Sequence, residues 1–271
     1  MSMNLLLQRA QELPQPPEVM QELIASFSNP EVDINDVTRK IARDQVISAK
    51  VLRLANSARF GAPRNVSTIN DAVIRLGFNA VRTLVLASGM VASLKPPTAF
   101  DIKHFWTESF TIASLSKWVA HYSKHDPETA FTCGMMHNIG QLLIHCFMPE
   151  DAQAIDRVVK SGADRLQMEN NRLGFNHLEM GALLAERWQF PVAIRDSIAL
   201  LQEGNTQNPY AGIVYIASYL NRQLELSSSD ADIIKFFPAS VAEATGIDQV
   251  GLFSDLELIR EKETNIDEIL H

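Results

Sequence analysis

The sequence is poor in cysteine, with two residues in 271, Cys133 and Cys146. So few thiols exclude a disulfide-stapled scaffold, and a chain this long can bury a sizeable core without one. Both fall within one expected helix, 13 residues apart by their numbering. At 1.5 Å per residue that is about 20 Å, too far for a bond between them, so both read as small core residues. No apolar run approaches the ~20 residues of a membrane span. The stretch around Leu84–Leu94 is interrupted by Ser88, Gly89 and Ser93. The opening MSMNLLLQRA lacks a basic flank and has too short an apolar run for a signal peptide, so a cytoplasmic protein is expected. No repeat, low-complexity tract or alternating strand pattern of useful length occurs. Glycine-rich phosphate loops, CxxC pairs and a Ser/His/Asp order are absent, and His177 with Glu179 and Glu186 does not make HExxH. Basic charge is also short: 24 Lys and Arg stand against 32 Asp and Glu, a net charge of −8, which argues against non-specific nucleic-acid binding.

Helical signals fill the chain instead. Asp33, Asp101 and Asp126 stand at N-cap positions, and Pro127 suits a first helical turn. Thr68 to Asp71 and Asn176 to Glu179 have capping-box spacing, and Asn208-Pro209 opens a helix that ends near Leu226. Gly77, Gly162 and Gly174 close helices. The spacing predicts helices from Asp101 to about Lys124 and from Pro191 to about Glu203. The class is all-α. Pro96-Pro97 marks a boundary between an N-terminal helical lobe, 1–96, and a second lobe, 97–207; C-terminal helices with an acidic tail occupy 208–271.

Charge is unevenly spread. Between Val37 and Thr83 nine Lys and Arg face Asp44 and Asp71, a balance of +7; from Glu225 onward eleven acids face three bases, a balance of −8. Lys50, Arg53, Arg59 and Arg64 form a basic face that could meet an anionic ligand or an acidic protein surface, or simply be solvated. Asn56 within it is expected to be structural, bonding turn backbone.

The stretch Ala130–Cys146, AFTCGMMHNIGQLLIHC, organises the rest. It reads as one buried helix with His137-Asn138 in its middle and with Phe131, Met135, Ile139, Leu142 and Cys146 on its core face. A buried imidazole needs a partner, because leaving it unsatisfied costs about 1–3 kcal/mol. It is either a core histidine bonded to a neighbouring helix or a site residue. His121 and His125, spaced i, i+4, read as solvated groups at a helix C-terminus rather than as a metal pair.

This stretch resembles the signature helix of the HD superfamily of metal-dependent phosphohydrolases, in which a His-Asp doublet supplies two metal ligands. The ordered motifs LPQPPEVMQEL, VLRLANSARFG, INDAVIRLGFNAVRTLVLASG, AFTCGMMHNIGQLL and LGFNHLEMGALLAERWQFP, from about Leu13 to about Glu203, resemble one branch, the HD-related output domain (HDOD) family. The resemblance implies an all-helical fold, with the N-terminal lobe packed on an HD-like lobe, and a signalling or scaffolding role with hydrolysis lost.

Position by position, Glu108 in FWTESFTIA falls where catalytic relatives carry a histidine, His137 matches the doublet histidine, and Asn138 replaces the doublet aspartate. His177 matches the histidine of LGFNH. Ala199-Leu200-Leu201 falls where relatives often carry consecutive histidines, and Ser218 lies near the last acidic ligand position. Glu108, His137 and His177 are what is left to hold a metal, and the expectation is no cofactor beyond an adventitious divalent ion. The preferred reading joins Glu108, His137, Asn138 and His177 in a buried hydrogen-bond network across three helices. The function implied is a non-catalytic signal-transduction module with a degenerate active site, acting in trans on a sensor kinase, response regulator or cyclic-nucleotide enzyme. The alternatives are a metal-dependent phosphohydrolase acting on a nucleotide or phosphodiester, and a nucleotide-binding sensor without hydrolysis.

Overall fold

The structure, a computed structural model, describes residues 15–16, 18–26, 33–43, 48–49, 51–52, 56, 66–94, 96–202 and 207–257. The opening MSMNLLLQRA and the end of the acidic tail lie outside them. The described residues contain no strand, and the fold is all-α. None of the described helices is long and apolar enough to cross a membrane.

On the N-terminal side, α1 (Glu18–Ala25) and α2 (Ile34–Arg43) precede α3 (Ile69–Leu76) and the longer α4 (Phe78–Leu94). Thr68 and Asp71 close the expected capping box on α3, and Gly77 ends it at φ 83°, a left-handed backbone that a β-carbon disfavours. Asn56 is structural, as expected, but its partner lies further along than the turn before Gly61. It clamps Val66 from ten residues away: its side-chain oxygen accepts from the Val66 amide at 2.6 Å, while its amide donates to the Val66 carbonyl at 2.7 Å and to that of Leu52 at 2.9 Å.

The centre is α5 (Ile102–Ala120), packed on α6 (Pro127–Met136) and on α12 (Pro209–Glu225). Helix α5 stops at Ala120, short of the expected Lys124, because tight i→i+3 bonds close it: the amides of His121, Tyr122 and Ser123 donate to Trp118, Val119 and Ala120. Then come α7 (Ile139–Phe147), α8 (Pro149–Val159), α9 (Arg165–Leu173), α10 (His177–Arg187) and α11 (Val192–Ala199). Helix α11 also ends early: the Leu200 backbone leaves the helix at φ −103°. The short α13 (Asp230–Lys235), α14 (Ala239–Ala244) and α15 (Gln249–Ser254) follow. They are tied back to the end of α5, where the Tyr122 hydroxyl donates to Asp255 at 2.6 Å and the Asp248 amide donates to the Tyr122 carbonyl at 2.7 Å.

One buried apolar cluster runs from Met20 and Leu23 in α1, through Val119 and Leu142, to Leu252 and Leu256. The N-terminal helices join it through α4. Thr83 and Thr132 share a buried hydroxyl bond of 2.9 Å, and the buried Arg82 donates to Ser26, just past the end of α1, at 3.2 Å.

The organising stretch departs from expectation. It is two helices, α6 and α7, broken at His137-Asn138. The His137 ring nitrogen Nδ1 donates to the Gly134 carbonyl at 2.7 Å, an acceptor that a continuous helix gives to the amide four residues on. Asn138 then sits at φ −108°, ψ 12°, and its carbonyl accepts from the Gln141 amide to start the next helix. The apolar spacing ran through the break unaltered, which is why it read as one helix. The two free cysteines therefore lie on different helices.

Glycines on either side of the break set its surroundings. A Cβ on Gly134 would fall 2.7 Å from the Ala113 Cα of α5. On Gly140 it would fall 1.8 Å from the His177 carbonyl oxygen and 2.8 Å from the Gly181 amide nitrogen of α10. Only backbone fits there. Gly140→Ala must therefore push α7 from α10, and overpacking of this kind costs about 1–3 kcal/mol or more. A lowered midpoint in guanidinium chloride unfolding is the expected result; an unchanged midpoint would show that the two helices yield freely.

Candidate functional site

The close α7–α10 approach brings the broken doublet beside the first turn of α10. Asn176 caps that helix, its side-chain oxygen accepting from the amides of Leu178 and Glu179, while Glu179 reaches back to the Asn176 amide at 2.9 Å. The capping box expected from the spacing thus fixes where His177 begins the helix. Glu108 approaches from α5, close enough to His177, His104 and Arg165 for their charges to act on it.

The four candidate residues gather in this region, but they are not bonded to one another as expected. His137 is held by Gly134. Asn138, fully buried, accepts at its side-chain oxygen from the Ser109 hydroxyl at 2.9 Å, and that hydroxyl also donates to Phe105 in α5. His177 is held by Glu169. The Glu108 carboxylate bonds to none of the other three. The network predicted within the quartet is replaced by separate anchors: His137 takes a backbone carbonyl, Asn138 a hydroxyl and His177 the carboxylate of Glu169.

Glu169 is the residue that the sequence reading missed. It sits in α9 with 1% exposure, and one of its oxygens accepts from both the His177 amide, at 2.8 Å, and the His177 ring nitrogen Nδ1, at 2.6 Å. Its other oxygen faces Arg165 at 3.5 Å. Arg165 donates to Asp156 at 2.6 Å, and Asp156 accepts from His145 Nε2 at 2.8 Å. His145 Nδ1 lies 2.8 Å from the Gln141 carbonyl. The ladder His145–Asp156–Arg165–Glu169 thus runs from α7 through α8 and α9 and ends on His177. The signal in the sequence was an acid four residues before Leu173 and four after Arg165, placed on the helix face that Leu173 buries.

Burial sets the electrostatics. It pushes the His137 pKa down to about 4, with the Gly134 carbonyl opposing and the neighbouring His177 adding to the fall, so the ring is neutral at pH 7. It raises the Glu108 carboxyl above its ordinary value, against the pull of His104. Asp156 goes the other way: partial burial pushes it up, but hydrogen bonds from His145 and Arg165 bring it to about 2.

As a metal site the set is thin. Both rings use Nδ1 structurally, which leaves the Nε2 atoms of His137 and His177 as the ring nitrogens able to ligate. Asn138 offers a neutral carboxamide already taken by Ser109. Ser218, near the last acidic position, donates to Val214 within its own helix. Ala199 ends α11 with no ligating group. No group of three His, Cys, Asp or Glu residues placed to hold a metal occurs among the described residues. The donors do not fit a two-metal centre, which requires several anionic groups converging. Lys50, Arg53, Arg59 and Arg64 lie outside the described residues.

The family model for the HDOD domain matches residues 13–203. A solved structure from Shewanella amazonensis SB2B, provisionally named a phosphohydrolase, is 34% identical, with a TM-score of 0.80 over 98% of both chains. A Marinobacter aquaeolei VT8 structure, provisionally named a signal transduction protein, shares the fold, with a TM-score of 0.76 at 22% identity over 96% of this chain and 59% of that one. A Vibrio cholerae protein named cyclic di-GMP phosphodiesterase CdgJ is 26% identical over 127 residues, 46% of this chain and 28% of that protein. The chain spans well under half the length of the curated relatives it matches.

Two measurements check the site. Glu169→Ala strips a buried imidazole and a backbone amide of their acceptor, and breaking such a pair costs about 3–5 kcal/mol. Denaturant unfolding at pH 7 reads that loss; a cost below about 1 kcal/mol would mean that the site relaxes around the gap. The second is a pH dependence. The unfolded chain protonates His137 near pH 6.5, whereas the folded ring does so near 4, so protonation favours unfolding. Stability should fall as pH drops from about 6.5 towards 4, by about 2–3 kcal/mol from this group. His137→Gln should flatten that part of the curve.

Proposed function

The chain belongs to the HDOD family, and on that premise we propose that it is a non-catalytic signal-transduction or scaffolding module whose degenerate HD site serves structure rather than hydrolysis. The observation that carries this reading is the Ser109–Asn138 bond. The position where a phosphohydrolase needs an anionic ligand holds a buried, neutral amide, already satisfied by the hydroxyl beside Glu108. The two nearby imidazoles are likewise oriented by internal partners, Gly134 and Glu169. A site whose polar groups are satisfied internally leaves the outer surface to do the signalling. The partners proposed are a sensor kinase, a response regulator or a cyclic-nucleotide enzyme, met in trans.

One observation favours a second reading. Nε2 of His137 and of His177 are both uncommitted on neighbouring helices, with Glu108 close by. That remnant could hold a single ion or the phosphates of a nucleotide, and the name of the Vibrio relative makes cyclic di-GMP the ligand to try first.

The test is elemental analysis of the purified protein before and after Mn²⁺ or Fe²⁺ loading, paired with a hydrolysis assay on cyclic di-GMP and bis(p-nitrophenyl) phosphate. The expected results are substoichiometric metal and no turnover by either the wild type or Asn138→Asp, since one restored aspartate leaves the other ligand positions empty. Stoichiometric metal that disappears in His137→Ala, or turnover by Asn138→Asp, would overturn the non-catalytic reading.

A further inference from the structure

A second place in the molecule has the marks of a ligand site, and it lies away from the histidines. A cavity of about 240 Å³ sits between α1 and the turn that joins α10 to α11. The Arg187 end of α10 is ten residues from His177, about 15 Å along the helix axis. Gln15, Gln21 and Ile24 line the cavity from the N-terminal side, and Arg187, Trp188 and Gln189 line it from the turn.

The wall is polar and carries one formal charge. Arg187 Nε is buried and has no hydrogen-bond partner. No carboxylate lines the cavity among the described residues. The acid nearest in sequence on α1, Glu22, is engaged by Lys40 at 2.8 Å, and Glu186 beside Arg187 is exposed. Gln21 is fixed by its bond to the Pro16 carbonyl at 2.9 Å. Gln189, at φ 59°, closes α10 in a left-handed turn in which the Phe190 amide donates to the Ala185 carbonyl at 2.9 Å, and this sets its side chain at the cavity wall.

A guanidinium presents donors in a rigid fork that two oxygens of one carboxylate or phosphoryl group complement. Arg187 Nε is closed off from the cavity space, so an oxygen there can reach only the terminal nitrogens of the fork. We infer that this cavity binds a small anion through carboxylate or phosphoryl oxygens, with Arg187 as the charged anchor and Gln21 and Gln189 as neutral hydrogen-bonding partners. The volume lies below the usual range for drug-sized ligands, so the occupant is of the order of inorganic phosphate or a short organic acid, not a dinucleotide.

The test titrates the full chain with inorganic phosphate and, separately, with succinate, at ionic strength matched by chloride. Heat and tryptophan fluorescence report binding, since Trp188 lines the cavity. One-to-one saturation by at least one probe is expected, weakened at least about ten-fold in Arg187→Met, which keeps the apolar stem and removes the fork. Which probe saturates distinguishes a phosphoryl from a carboxylate ligand. No saturation by either probe, or equal affinity in Arg187→Met, overturns the proposal. Should Arg187→Met lose its native circular dichroism, Gln21→Leu takes its place, with weakening by several-fold expected and unchanged affinity counting against the site.

Discussion

The contact on which most of the structure depends is the approach of Gly140 to the backbone of His177. No side chain fits between them, so α7 and α10 meet backbone to backbone. That places the break at His137-Asn138 directly against the capped start of α10. Gly134, three residues before the doublet, does the same against α5. Together they pin the doublet between two neighbours with little freedom to adjust. Interiors packed at crystal-like density transmit such constraints, so the site's geometry follows from the core and not from its own polar bonds.

Around this contact the polar groups are arranged to be satisfied locally. Ser109 closes on Asn138, Gly134 on His137, and Glu169 on His177. In the ladder from His145 to Glu169 each carboxylate faces a basic side chain, Asp156 between His145 and Arg165 and Glu169 beside Arg165. A ladder of this type offsets the desolvation of each member only while all of them are present. Its far end, at His145, lies against the Phe100 ring, 4.4 Å between centroids, which covers one face of the imidazole.

The helices were legible because their boundaries are written in local chemistry. Thr68 and Asp71, Asp126 and Pro127, Asn176 and Glu179, and Gly174 each act within a few residues of themselves. The break at His137 was not legible, because it comes from a ring nitrogen competing for a carbonyl three residues back, which leaves the apolar spacing intact. Glu169 was hidden for a related reason: an acid in a helix is ordinarily a surface residue, and only the three-dimensional position of His177 turns it inward. The candidate residues themselves were found by their motifs. Their partners were not, since Ser109 and Glu169 belong to other helices and no spacing along the chain connects them.

The Asn56 clamp bears on how this chain can change over generations. Two hydrogen bonds from one side chain hold the two ends of a span, residues 56 and 66, at a fixed separation. Once the ends of a loop are pinned, doubling its length costs only about 0.6 kcal/mol in closure entropy. Insertions and sequence drift between these anchors are therefore nearly free for the core on which α3 and α4 pack. Change in the sequence between the two anchors therefore need not rebuild the scaffold, provided that the asparagine is kept.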